Sequence, residues 1–270
     1  MQPRADLPVV VGVDGSPSSI LALDLAATEA ALRGLKLRIV YVQEPHDVWR
    51  TVGRRNHKFV DPEQLMVDVH DRVAERKPGL AVEWQMLDGL PAVVLIQESR
   101  EASITVIGHQ GDGFLGRAAG LVCRRLTASG HGPVIVARGE TPPPEDALVV
   151  LGVDVDAPAP QAIEFAFAAA AARRAPIRAV YASCDPSPEQ AAVRLAEELA
   201  CWSNRYPDIK VECLTDHRLD PPAAILAISM QAGLIVVGPH DQTAPRRLIL
   251  GPVGDTLVLH APCPVAVVHA

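Results

Sequence analysis

A glycine-rich stretch, VIGHQGDGFLGRAAGLV, follows a short apolar run and leads into a helical segment, with Gly108, Gly111 and Gly120 spaced along it. A turn of this kind lets backbone N–H groups and a helix N-terminus converge on an anion, usually phosphate. Glycines between a strand and a helix also serve positive-φ geometry alone, so a phosphate cradle and a purely structural bend both stand at this point. His109 lies inside the stretch, where an imidazole could touch a terminal phosphate or act as a general base. No carboxylate in the sequence is placed to orient it, and a solvent-facing loop histidine is expected.

Other reactive residues lead nowhere specific. Asp14 ends an apolar run as a receiver-domain phosphoacceptor would, but Gly15 stands beside it and the second acidic residue such a site needs is absent. Asp154 and Asp156 occur together in the second half, where Asp156 reads as a helix cap. His131, His260 and Cys263 do not gather three ligands at a usable metal spacing. The five cysteines form no CxxC and are odd in number, which suits reduced thiols rather than a disulfide framework. An adenylyl or phosphoryl transferase would need a Walker lysine, an HxGH motif or an SGGxDS-type loop, and none occurs, so no catalytic residue and no enzymatic activity are expected.

The elements that must position these residues come twice. VVVGVDGSPSSILALDLAATEAALRGLKLRIVYV opens the first half and LVVLGVDVDAPAPQAIEFAFAAAAARRAPIRAVYA the second, with Gly12, Asp14 and Tyr41 recurring 140 residues on at Gly152, Asp154 and Tyr181. A copy that keeps register this far is a duplicated domain. Each half alternates short β-branched apolar runs with longer amphipathic or Ala-rich stretches, which predicts an α/β fold with two tandem five-stranded parallel sheets. Strands are expected at 8–13, 36–43, 80–86, 104–108 and 133–138, then at 147–153, 176–182, 209–214, 233–238 and 263–268. Ser16-Pro17 reads as an N-cap followed by proline at the first helical position. Asp61-Pro62-Glu63-Gln64 and Ser187-Pro188-Glu189-Gln190 read as helix starts with a capping-box glutamine. The Ala-rich segment 162–174 is expected to be a close-packed core helix. The proline-rich segment 139–146 separates domain 1 (1–138) from domain 2 (147–270), and 44–60 reads as a locally basic loop without a counterpart of equal length.

Composition excludes several partner classes. A net charge of -7 and a pI near 5.7 give no electrostatic footprint for nucleic acid or for an anionic membrane. No apolar run reaches the ~18 residues of a membrane span, and MQPRADLP lacks the apolar core of a signal peptide, so a soluble cytoplasmic protein is expected.

The order VGVDGS, VYVQEP, GLPAVVL, VIGHQG and HGPVIVAR, with HAPCPVAVV closing the second half, resembles the universal stress protein family across almost the whole chain. The WSNRYP stretch is similar to tandem members from actinobacteria. The resemblance implies a Rossmann-like sheet of order 3-2-1-4-5 in each half, with a nucleotide crevice beside the first strand, where strand order reverses. It implies a stress-response binding and signalling module acting through a protein partner the sequence does not name. It further implies ATP, with Mg2+, as the ligand: Gly12, Asp14 and Val42 on the adenosine side, Ile107, Gly108, Gly111, Gly120, Leu121 and Val122 on the phosphate side. The closing strands of the two halves would pair edge to edge as an internal pseudo-dimer, with a homo-oligomer left open.

The chain departs from the family's G-x2-G-x9-G-(S/T) pattern. Only eight residues separate Gly111 from Gly120, and Leu121 stands where a hydroxyl belongs. Losing that hydroxyl costs about 1.5 to 3 kcal/mol, roughly ten- to a hundredfold in affinity. The second half keeps the length but carries Asp241 at the second glycine and Pro252 at the Ser/Thr position, with Arg246 and Arg247 as the available counter-charges. ATP is therefore expected in the first domain rather than the second. The alternative is a nucleotide-independent scaffold whose degraded loops persist only for protein contacts.

Overall fold

Val9, Val10 and Val11 are wholly buried, as a strand covered on both faces must be. They belong to β1 (Val9–Val13) of a computed structural model that describes residues 6–44, 61–109, 120–182, 188–216, 218–238 and 251–269. The chain divides into two units, Met1–Pro142 and Pro143–Ala270. In the first, β1 is followed by α1 (Pro17–Arg33), β2 (Leu37–Gln43), α2 (Pro62–Arg76), β3 (Val82–Asp88), α3 (Pro91–Glu98), β4 (Ile104–Gly108), α4 (Leu121–Ser129) and β5 (Pro133–Ala137). The second runs β6 (Leu148–Gly152), α5 (Pro160–Arg173), β7 (Ile177–Ala182), α6 (Pro188–Arg205), β8 (Val211–Asp216), α7 (Pro221–Ile228), β9 (Ala232–Val237), α8 (Gly251–His260) and β10 (Val265–Val268).

Within each unit the described strand pairings are all parallel. The first has the order β3-β2-β1-β4-β5 and the second repeats it as β8-β7-β6-β9-β10. In the first, Val9 pairs with Leu37 on one side and Ile104 on the other. The duplication extends to side chains. Arg38 on β2 bonds Glu83 directly across on β3 at 2.6 Å, and Arg178 on β7 bonds Glu212 across on β8 at 2.8 Å.

The third strand of each half begins two residues later than the apolar pattern predicts. Leu80 and Ile209 close turns instead, their N–H groups donating to the carbonyls of Lys77 and Tyr206. An apolar residue can finish a turn as readily as open a strand, and only the pairing partner decides between them.

The helix ends follow local chemistry. Ser16 caps α1, its hydroxyl accepting from the Ser19 N–H at 3.2 Å, and Asp61 caps α2 through the Glu63 N–H at 3.1 Å. Gln64 does not return to the cap as a capping box requires; it donates to Asp68 one turn on, at 2.8 Å. The Ser187 cap lies outside the described residues. α1 ends on Gly34 in the left-handed conformation, φ 64, and α5 ends the same way on Arg174, φ 54. In both, the next residue's N–H reaches back to Ala30 or Ala170, a Schellman closure.

Packing explains the Ala-rich helix. Ala162, Ala166, Ala169 and Ala170 on α5 are buried, with Phe167 stacked 6.3 Å from Trp202 of α6 and tilted 5.7 Å from Tyr206, which directly follows that helix. In the first unit, Asp24 on α1 is nearly buried and accepts two bonds from Arg72, both 2.8 Å, and one from Arg76 at 3.1 Å. Among the described residues, no helix is long and apolar enough to cross a membrane.

Candidate functional site

The carboxyl ends of β1, β2 and β4 gather most of the residues expected to contact a ligand. Asp14 directly follows β1. Its Oδ1 accepts from the Ser16 N–H at 3.0 Å and the Ser16 hydroxyl at 2.6 Å, while its own N–H donates to Ser19 at 3.3 Å. The carboxylate thus braces the cap of α1. Val42 is the penultimate residue of β2 and half-buried. Ile107 is buried near the end of β4, and Gly108 closes that strand. β1 lies between β2 and β4, so these residues meet where strand order reverses.

The glycines have steric reasons to be there. A Cβ on Gly12 would meet Leu95 at 2.9 Å, and one on Gly152 would meet Ile225 at 2.9 Å, so both copies leave room for a leucine or isoleucine from the helix above. A Cβ on Gly108 would collide with Ser18, whose backbone carbonyl is 2.7 Å away. Gly120 is left-handed, φ 66, and a Cβ there would stand 3.0 Å from the His109 carbonyl. It opens α4 directly, and the N–H groups of Leu121 and Val122 are ones an α-helix cannot pair with its own carbonyls. Gly111 lies outside the described residues, as do 45–60 of the basic loop.

His109 is not a solvent-facing side chain. It is half-buried, and its Nδ1 stands 3.3 Å from the Ala137 carbonyl at the end of β5, a bond that requires the proton on Nδ1. Burial, aided by the Arg138 charge, pushes its pKa below the usual histidine value. His131 is fixed through its backbone, its N–H donating to the buried Ser99 hydroxyl at 2.9 Å.

The second half differs at the matching place. Asp156 occupies the position of Ser16, but it does not cap the helix. α5 starts only at Pro160, three residues later than α1 does by register, and its cap position is Ala159 without a side-chain bond. Asp156 turns outward: Tyr181 donates to its Oδ2 at 3.1 Å and Arg194 to its Oδ1 at 2.7 Å. These bonds, Arg194's first, hold its carboxyl below the usual range. Asp154 accepts from the N–H groups of Asp156 and Ala157 at 3.0 and 3.3 Å, shaping the chain that replaces the lost helical turn.

A cavity of about 350 Å³ opens against that chain. Ala157, Ala159, Ile225 and Val237 line it together with Asp154 and Tyr181. Gly251, φ 78, repeats the left-handed entry of Gly120 into the following helix, but Pro252 then removes a backbone donor. Asp241, Arg246 and Arg247 lie outside the described residues. The Asp156–Tyr181–Arg194 grouping was not visible in the sequence. Tyr181 recurs from Tyr41, but nothing in the copied pattern marks an aspartate at Ser16's position as its partner.

Residues 7–138 and 148–269 each match a family described as the universal stress protein family. A universal stress protein of Mycolicibacterium smegmatis is 30% identical over 293 residues, covering 100% of this chain and 99% of that protein. One from Mycobacterium tuberculosis is 30% identical over 308 residues, covering 98% and 95%. Among solved structures, a universal stress protein from Archaeoglobus fulgidus superposes with a TM-score of 0.74 at 19% identity, covering 97% of this chain and 96% of that one, a likeness of fold.

Proposed function

We propose, from the premise that this chain belongs to the universal stress protein family, that it is a non-catalytic binding and signalling module whose first half takes ATP with Mg2+. The observation that carries this reading is Gly120, which turns the chain left-handed straight into the N-terminus of α4 beside the end of β4. The residues present fit such a ligand. Leu121 and Val122 would offer backbone N–H groups to phosphate oxygens in place of the missing hydroxyl. Asp14 would accept from the ribose or base, and Val42 would pack against the adenine. The bound nucleotide would supply negative charge at the head of α4, and the output would be a changed surface for a protein partner rather than a chemical product.

A scaffold that needs no nucleotide is the second reading, and two contacts favour it. Leu95 fills the space beside Gly12 and Ser18 the space beside Gly108, so packing alone accounts for both glycines.

Titration calorimetry of the full chain with ATP and Mg2+ separates the two. One site of micromolar affinity, lost in Gly120→Ala and Asp14→Ala but kept in Asp154→Ala, supports the nucleotide module. Absence of heat at millimolar ATP, with every variant folded by circular dichroism, leaves the scaffold.

A further inference from the structure

We propose that His109 is a positioning residue for the nucleotide site of the first half: its ring fastens the start of the glycine stretch to β5, and its carbonyl sets where Gly120 and the head of α4 stand. The inference rests on the nucleotide reading above and ties its phosphate end to one hydrogen bond.

Two contacts carry it. The Nδ1–H donates to the Ala137 carbonyl at 3.3 Å, one step beyond the place where Gly108 of β4 lies opposite Ala137 of β5. The His109 carbonyl is 3.0 Å from where a Cβ on Gly120 would stand, so the residue that leaves β4 meets the one that opens α4. Shifting the ring off Ala137 shifts the carbonyl against which Gly120 rests. The Leu121 and Val122 N–H groups, next along the chain, would move with it.

The ring is not itself suited to hold phosphate. Burial, aided by the Arg138 charge, keeps its pKa below the ordinary value, so it is neutral at pH 7.5. With the one proton on Nδ1, Nε2 can only accept a hydrogen bond, and so can a phosphate oxygen. His109 therefore acts through the backbone.

The duplication supplies a control. β9 and β10 pair in parallel as β4 and β5 do, yet the sequence has Pro239 where the first half has His109. Pro239 lies outside the described residues, but a proline has no N–H to give. A sheet of this order thus forms without the histidine. The second half also has Pro252 at the head of α8, without a backbone donor, so the histidine occurs in the half whose helix head keeps its donors.

Calorimetry of the full chain with ATP and Mg2+ at pH 7.5 tests this on the unaltered protein and on His109→Asn, His109→Gln and His109→Leu. The Asn amide places its donor where Nδ1 stands, the Gln amide reaches farther, to the place of Nε2, and Leu has none. Asn should bind ATP within about twofold of the unaltered chain, and Gln and Leu about three- to tenfold more weakly, the worth of one hydrogen bond. A histidine that served stability alone would not separate Asn from Gln in the affinity of folded protein, which circular dichroism verifies. Unchanged affinity in Gln and Leu, or equal loss in all three, overturns the proposal. So does failure of both Gln and Leu to fold, which would make the ring a requirement of the fold. The ring 15N shifts of the unaltered chain should show the proton on Nδ1 at pH 7.5, and the other tautomer overturns the proposal as well. No ATP binding by the unaltered chain removes the nucleotide reading and this inference together; ATP binding indifferent to His109 removes the inference alone.

Discussion

Ser18 occupies the space that a side chain on Gly108 would need, its carbonyl 2.7 Å from where a Cβ would stand. The end of β4 and the first turn of α1 approach as closely as backbone permits. Gly108→Ala should therefore destabilise the protein by about 1 to 3 kcal/mol, the usual cost of overpacking, whether or not nucleotide binds. Urea unfolding of the variant without ATP measures this; an unchanged midpoint would reduce Gly108 to a ligand-facing residue alone.

Arg174 pays for a left-handed φ of 54 that Gly34 adopts freely at the matching helix end. Its side chain is exposed. Arg174→Gly should stabilise the protein by up to about 1 kcal/mol, since the left-handed region costs an L side chain about 1 to 2 kcal/mol and glycine returns part of that as chain entropy. A urea midpoint that fell instead would mean that Arg174 makes contacts outweighing its backbone strain.

Asp24 joins α1 to α2 through Arg72 and Arg76. The Asp24 side chain is 7% exposed but those of Arg72 and Arg76 are 35% and 52% exposed, so solvent screens the pair and the full cost of breaking a buried ion pair does not apply. Asp24→Asn should cost about 1 to 3 kcal/mol. A double-mutant cycle with Arg72→Met gives the coupling, and additive effects would show that the pair contributes none.

His109 links stability to pH. Its folded pKa lies below the ordinary 6.5, chiefly through burial. The folded state then binds fewer protons than the unfolded one, so the contribution is complete above pH 6.5 and declines as pH falls through that value towards the folded pKa. Between pH 7.5 and 5.5 the native chain should lose more stability than His109→Asn, whose amide can still donate to Ala137. Parallel unfolding curves for the two proteins would remove His109 as the source.

The duplication, the ten strands and the Ser16 and Asp61 caps were legible because each depends on residues close in sequence: apolar runs, a cap and its proline. What local pattern could not show was set across the fold. Leu80 and Ile209 look like strand residues until the pairing of β3 and β8 leaves them in turns. Asp156 looks like a cap until Arg194, far along the chain, is brought beside it. Gly108 reads as part of a phosphate signature in the sequence, and only the packed position of Ser18 shows a steric reason for it.

The parallel order has a consequence in time. β1 cannot complete its pairing in the first sheet until β4 exists, because Val9 needs Ile104 as well as Leu37. At a synthesis rate of roughly 5 to 20 residues per second, Ile104 follows Val9 by about 5 to 20 seconds. For that interval the most apolar strand of the first half leaves the ribosome with one open edge, and β6 repeats the wait for β9. Twice in every round of translation, this chain leaves an apolar first strand, VVVGV and then LVVLG, waiting with one edge open to a chaperone.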